Sequence, residues 1–179
     1  IIFSDILMTP YGLGQGVKFQ KGHGPILEEY ILDNIKTTDD QFTNRLKPVY
    51  RAIEKVKKEI TGKSLIGFVG APWTLLLYMI NRESPKKNFV LSKIIKDKNL
   101  VNRLLEKLIQ ITCLHIKNQI NAGANVIQIF DSWAGLLPDD KLKKFCYEPN
   151  YTIVNFVKSL KVPVICFPRG IKKNYINFC

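Results

Sequence analysis

The sequence predicts an α/β fold in which a parallel sheet is covered by helices. Two observations lead there. Short runs that are apolar throughout, rather than alternating apolar and polar, recur at 1–7, 64–70, 124–131 and 162–167. Segments with helical spacing separate them. Strands buried on both faces and joined by helices are the signature of parallel pairing, because the crossover helices cover both sides of the sheet. An open doubly wound sheet and a closed (β/α) barrel both satisfy this pattern. A complete barrel needs eight such units and typically ~250 residues, so four strands amount to about half of one.

Taken in order, residues 1–7 read as the first strand. Residues 10–25, PYGLGQGVKFQKGHGP, are rich in glycine and proline and read as an irregular loop or hairpin. Residues 27–36 are mixed and polar. A helical period runs from 43 to 60 with Leu46, Val49, Ile53, Val56 and Ile60 on one face, and Thr61-Gly62 closes it. SLIGFVG, at 64–70, is a buried strand. Pro72 stands where a proline favours the start of a helix. Residues 88–96 form a short helix and 98–121 a long one, stopped by Gly123. ANVIQIFD, at 124–131, is the next strand. Residues 139–160 are helical with a kink near Pro149, and VPVICF, at 162–167, is the last strand.

The chain has 179 residues, 46% of them hydrophobic and 23% charged, and is compatible with one globular domain over 1–179. No apolar run approaches the ~18 residues of a membrane helix. The net charge is +12, but only five of the 27 basic residues are arginine, and the lysines are scattered in pairs along every segment. That distribution describes a solvated surface rather than a nucleic-acid groove. The four cysteines, Cys113, Cys146, Cys166 and Cys179, show neither C-x-x-C spacing nor histidine partners, so free thiols in a reducing compartment are expected and no metal centre is. His115, inside the long helix, reads as structural. His23 lies in the glycine-rich loop and reads as solvated. GLGQG at 12–16 is not followed by a helical pattern, so it makes a poor dinucleotide loop.

In a parallel α/β fold, ligands meet the carboxyl ends of the strands. Three such ends carry chemistry: Ser4 and Asp5; Gly67 and Gly70, followed by Pro72-Trp73-Thr74 and Tyr78; and Phe130, Asp131, Ser132 and Trp133. Each also has an ordinary structural use. Asp5 could cap a helix or pair with a lysine, Ser132 could cap a turn, and Tyr78 and the tryptophans could simply pack. A carboxylate at the end of a buried strand is nevertheless costly unless something there needs it.

The stretches FSDIL, GFVGAPWTLLLYM and IQIFDSWAGLL, with YEPNYTIVNFVKSLKVPVICF after them, resemble the uroporphyrinogen decarboxylase family over essentially the whole chain. The resemblance implies a (β/α)8 TIM-type barrel, of which about four parallel strands, roughly half, are supplied here. It implies a carboxy-lyase of porphyrin and haem biosynthesis that removes the acetate carboxyls of uroporphyrinogen III, gives coproporphyrinogen III and uses no cofactor. It also implies a cytoplasmic location, or an organelle if the source is eukaryotic, and a homodimer with no nucleic-acid or membrane partner. By the same resemblance Asp5 is the catalytic carboxylate that accepts the pyrrole N–H groups. Asp5, Tyr78 and Ser132 bind the tetrapyrrole.

The family's arginine-rich N-terminal stretch and a later histidine-bearing segment are not found in these residues. The chain therefore reads as truncated at both ends and, alone, as inactive. Two other readings remain at this point: a corrinoid-linked methyltransferase on a related barrel, and a non-catalytic remnant of a split gene.

Overall fold

The computed structural model describes residues 5–20, 24–85 and 91–178. The helix α1 (Met8–Leu13) is followed by an antiparallel hairpin, β1 (Val17–Gln20) and β2 (Gly24–Leu27), in which Val17 pairs with Leu27. A 3-10 turn (Leu32–Asn34) leads into α2 (Asp39–Glu59). The α/β part then runs β3 (Ile66–Gly70), α3 (Pro72–Asn81), α4 (Leu91–Ile94), α5 (Lys98–Asn121), β4 (Val126–Asp131), α6 (Asp139–Leu142), α7 (Glu148–Ser159), β5 (Val164–Pro168) and α8 (Tyr175–Phe178). The three strands β3, β4 and β5 form one parallel sheet in chain order, with Phe68 opposite Gln128 and Phe130 opposite Phe167. This is the strand–helix repeat of a (β/α)8 barrel, in part.

Local chemistry explains the boundaries. Thr38 caps α2 through a reciprocal box: its hydroxyl accepts the Gln41 N–H at 3.2 Å, and the Gln41 side chain accepts the Thr38 N–H at 3.1 Å. Asp39 and Asp40 in the first turn, and Lys57 and Lys58 in the last, complement the helix dipole. Pro72 occupies the first turn of α3, where its missing N–H costs nothing. Asp97 caps α5 by accepting the Leu100 N–H at 2.9 Å. Gly123 follows α5 with φ +114°, a conformation that side chains resist.

Two hydrophobic layers result. Ile116, Ile153 and Val157 on α5 and α7 pack against Val69, Ile127 and Ile129 on one face of the sheet. A larger cluster joins α1, α2, α3 and α5 around Phe42, Leu46, Trp73, Leu76 and Leu108. The face of the sheet turned away from α5 and α7 carries a ladder of edge-to-face rings, Phe68 to Phe130 at 5.7 Å and Phe130 to Phe167 at 6.2 Å. Ile165 and Phe167, each 45% exposed, lie on that face.

Several expectations change. Of the strand expected over 1–7, residues 1–4 lie outside the described residues, and Asp5–Leu7 form a turn into α1 rather than a strand. The turn follows from Asp5 itself, whose φ is +80° and whose Oδ1 accepts the Leu7 N–H at 2.8 Å. The loop-or-hairpin expected over 10–25 resolves into the end of α1 and the β1–β2 hairpin; His23, in the same stretch, lies outside the described residues. The buried face of α2 is Phe42, Leu46, Tyr50 and Ile53, whereas Val56 is exposed, and the helix begins at Asp39, four residues earlier than its apolar period shows. The irregularity in 139–160 precedes Pro149: α6 passes through a π-helical turn, Lys143–Tyr147, and Pro149 sits in the first turn of α7. Cys113, Cys146 and Cys166 are free thiols as expected, and Cys179 lies outside the described residues.

Gly67 has a specific reason to be glycine. The Gln119 side chain reaches across from α5 to hold both backbone groups of Phe68, accepting its N–H at 3.1 Å and donating to its carbonyl at 3.0 Å. A Cβ on Gly67 would come within 2.6 Å of Gln119 Oε1. Gly67→Ala is therefore expected to push Gln119 away and cost roughly 1–3 kcal/mol. Denaturant unfolding measures it, and an unchanged midpoint would show that the sheet does not need this clasp.

Candidate functional site

The parallel register sends the chain out of β3 and β4 at the same end of the sheet, and the site residues sit where it emerges. Asp5 lies beside it because Ile6, its neighbour, packs on Gly70, the last residue of β3; a Cβ added to Gly70 would stand 3.2 Å from that of Ile6. Asp5 is half-buried, and burial raises its carboxyl above the ordinary carboxylate range, with the Leu7 N–H partly offsetting the shift. Its Oδ2 has no hydrogen-bond partner among the described residues.

Tyr78 lies on α3 with its ring buried. Its hydroxyl is 3.1 Å from the Ser84 hydroxyl, and its ring stands edge-on to Trp133 at 6.4 Å. Ser84 was not legible as a site residue, since nothing in the NRESP stretch marks it. The hairpin places it: the Leu27 N–H donates to the Arg82 carbonyl at 2.7 Å, and Ile26 bridges Glu83. Ser132 follows β4 directly, is half-buried and precedes the tryptophan that touches Tyr78. Ser4 lies outside the described residues. The structure thus brings the segments of Asp5, Tyr78 and Ser132 to one end of the sheet.

Behind Ser132 sits a group that spacing left open. Asp131 is 1% exposed. Its Oδ1 accepts the Thr74 hydroxyl at 2.7 Å, and its Oδ2 accepts the Asn150 amide at 3.1 Å. The Cys146 thiol is a further partner. Burial raises this carboxyl to about 6, and the hydrogen bonds from Thr74, Cys146 and Asn150 hold it from going higher. Thr74 was noted in the sequence, but Asn150, 19 residues further along the chain, carried no signal. Trp73 is wholly buried as expected, and its indole N–H donates to the Trp133 carbonyl at 3.0 Å.

His115 lies away from this end, buried in α5 with its Nδ1 2.9 Å from the Tyr50 hydroxyl, and burial lowers it to about 4. It is structural, as expected. No group of three or more His, Cys, Asp or Glu among the described residues is arranged to hold a metal ion. No described helix is long and apolar enough to cross a membrane.

A parallel sheet whose strands alternate with helices is a barrel-type architecture, a class in which ligands meet the carboxyl ends of the strands. The chain belongs to the uroporphyrinogen decarboxylase family: the family model described as "Uroporphyrinogen decarboxylase (URO-D)" matches residues 1–178. A uroporphyrinogen decarboxylase of Rickettsia bellii is 41% identical over 99% of this chain and 54% of its own length. One from Campylobacter jejuni is 42% identical over 96% of this chain and 52% of its own. The chain therefore spans about half the length of the curated relatives it matches. Among solved structures, a methyltransferase from Methanosarcina mazei superposes with a TM-score of 0.70 at 17% identity, covering 92% of this chain and 49% of that one. That likeness is one of fold.

Two buried groups whose shifts fall in the acid range, Asp131 and His115, oppose each other in pH dependence. Asp131 holds its proton up to about 6 when folded, against an ordinary 3.8, so its contribution is full at low pH and is lost as pH rises from about 4 to 6. His115 stays neutral down to about 4, against an ordinary 6.5, so its contribution is full above about 6.5 and is lost as pH falls toward 4. Each is worth roughly 3 kcal/mol across the window, and in the wild type they nearly cancel. Asp131→Asn removes only the first. Its stability is expected to rise more steeply with pH between 4 and 6.5 than that of the wild type; parallel profiles from chemical unfolding would contradict this.

Proposed function

We propose that this chain supplies substrate-gripping residues of a uroporphyrinogen decarboxylase, which removes four carboxyls from the acetate side chains of uroporphyrinogen III to give coproporphyrinogen III. What supports this is the meeting, at the carboxyl ends of β3 and β4, of the three segments whose residues match the family: Ile6 against Gly70 brings Asp5 there, and Trp133 against Tyr78 brings Ser132 there.

The chemistry fits these side chains. Loss of carbon dioxide leaves an electron pair that needs a sink, and a pyrrole ring protonated on carbon is one. The C–C bond electrons flow into the cationic ring, the exocyclic carbon then takes a proton, and the ring carbon gives up the proton it had gained, which restores aromaticity. In this role the Asp5 carboxylate accepts pyrrole N–H bonds, which strengthen as the ring becomes cationic, so it stabilises the transition state more than the substrate. The φ of +80° at Asp5 is uncommon for a residue with a side chain and is the type of strain found where geometry serves a ligand. Tyr78 and Ser132 supply hydroxyl donors for the substrate's carboxylates. The excess of positive charge favours the approach of a polyanion.

The test is turnover of uroporphyrinogen by the protein as its gene encodes it. Asp5→Asn retains the shape but turns an amide toward pyrrole donors, and it is expected to lose ~10²–10³ in rate. Activity within about twofold of the wild type would remove Asp5 from this role, given that typical effect. Tyr78→Phe and Ser132→Ala each remove a bond worth roughly 1.5–3 kcal/mol. Both are expected to raise KM, with partly decarboxylated intermediates accumulating. A product-bound structure with both hydroxyls turned into the protein would sink that assignment.

A further inference from the structure

The strand β4 alternates. Ile127 and Ile129 are fully buried in the layer packed against α5 and α7, Phe130 joins the ring ladder on the opposite face, and Asp131 ends the strand buried beneath the helices. Its carboxyl lies out of reach of solvent, between α3, which supplies Thr74, and the region of α7, which supplies Asn150 and Cys146. Its partners among the described residues are a hydroxyl, an amide and a thiol, with no cation. A carboxyl in such a place is a poor way to gain stability, since a neutral or apolar residue of similar volume avoids the desolvation.

What the carboxyl provides is direction. A threonine hydroxyl has a single proton. Thr74 gives it to Asp131 Oδ1 at 2.7 Å, and the Thr74 hydroxyl oxygen then has lone pairs to accept the Trp133 backbone N–H, which it does at 3.2 Å. The relay runs from the Trp133 N–H to the Thr74 hydroxyl and on to the Asp131 carboxyl. The residue enclosed by it is Ser132. The Asn150 amide fixes the other carboxyl oxygen and uses its second hydrogen on the Cys146 carbonyl at 2.8 Å, so the carboxyl plane is held from both sides. The main chain is pinned as well: the Asp131 carbonyl accepts the Arg169 N–H at 3.1 Å, and the Trp133 carbonyl accepts the Trp73 indole at 3.0 Å. Of these contacts, the Thr74 hydroxyl is the one that grips an N–H of the Ser132 turn from a side chain.

We infer that Asp131 is a positioning residue, which acts through the Thr74 hydroxyl on the Trp133 backbone to fix where Ser132 presents its hydroxyl to the substrate. This rests on the proposed function for the role of Ser132. Neither Asp131 nor Thr74 touches substrate in this scheme, and both work by narrowing the conformations of the turn.

The test uses Thr74→Val, which keeps the shape and removes the hydroxyl, and Thr74→Ser, which restores it. Both are made in the protein as its gene encodes it. Two quantities are read: hydrogen exchange of the Trp133 amide, and the separate KM and kcat for uroporphyrinogen. In Thr74→Val the Trp133 amide is expected to exchange about three- to tenfold faster and KM to rise by a similar factor, the equivalent of one ordinary hydrogen bond, with kcat held. Thr74→Ser is expected to bring both back to the wild-type values. Wild-type exchange and KM in Thr74→Val would overturn the inference. So would faster exchange spread evenly over α3 and β4 with kcat and KM both altered, which is the mark of a merely structural role. If Thr74→Val does not fold, Thr74→Cys replaces it as a weaker donor and acceptor of the same size, and unaltered KM and exchange there overturn the inference equally. If the wild-type protein does not turn over uroporphyrinogen, it is the proposed function that fails. The Trp133 exchange and its rescue by Thr74→Ser then still decide whether the relay positions the turn.

Discussion

The parallel register of β3, β4 and β5 is the constraint on which the rest depends. Because the three strands run the same way, every connection from a strand to its helix leaves at one end of the sheet. Residues 55 to 60 apart in sequence then become neighbours: Thr74 and Asp131, Trp73 and Trp133, Tyr78 and Trp133. None of these pairs could be brought together by local structure. The same register aligns Phe68, Phe130 and Phe167 into a ladder on one face while Val69, Ile127 and Ile129 face the helices. One geometric decision therefore separates a layer that holds the fold from an end that gathers the candidate site residues.

Most of that architecture was legible in the sequence because the signals were strong and local. The long helix is legible at 98–121, which is where α5 runs, since its apolar period and Gly123 agree with one another, and the structure adds the Asp97 cap. The strands expected at 64–70, 124–131 and 162–167 correspond to β3, β4 and β5, each starting two residues later, with β5 running one residue further to Pro168. The misreadings have physical causes. Met8–Leu13 was hidden as a helix because Pro10 and Gly12 read as turn chemistry, yet a proline in the first turn is tolerated, and Gly12 is required there because a Cβ would stand 2.5 Å from the Phe42 ring. The π-helical turn before α7 left no trace in periodicity.

The candidate site was legible in part, and for a different reason. Strand ends can be found from a strand pattern, so Asp5, Asp131 and Ser132 could be picked out by position alone. What periodicity cannot report is which direction a residue at a strand end faces. Asp131 and Ser132 are adjacent, yet the first is sealed beneath the helices while the second is half-exposed at the end of the sheet. Partners such as Ser84 and Asn150 were missed because a side chain that meets its partner through tertiary packing has no characteristic spacing from it.

The two carboxylates at this end of the sheet show how similar groups acquire different uses. Asp131 is wholly enclosed and satisfied by three neutral donors, so no ligand can reach it and its proton affinity is an internal matter. Asp5 is only half-buried, has one oxygen committed to Leu7, and has its charge disfavoured by burial. A carboxylate in that condition gains most from a partner that brings positive charge with it, because the same attraction that would ionise Asp5 is felt in reverse by the partner. An ordinary lysine nearby would satisfy the charge permanently and leave nothing for a reaction to gain. A ring that becomes cationic only on protonation supplies the compensation at the moment of chemistry, so a carboxylate whose charge is disfavoured by burial is matched to the transient cation of the proposed decarboxylation.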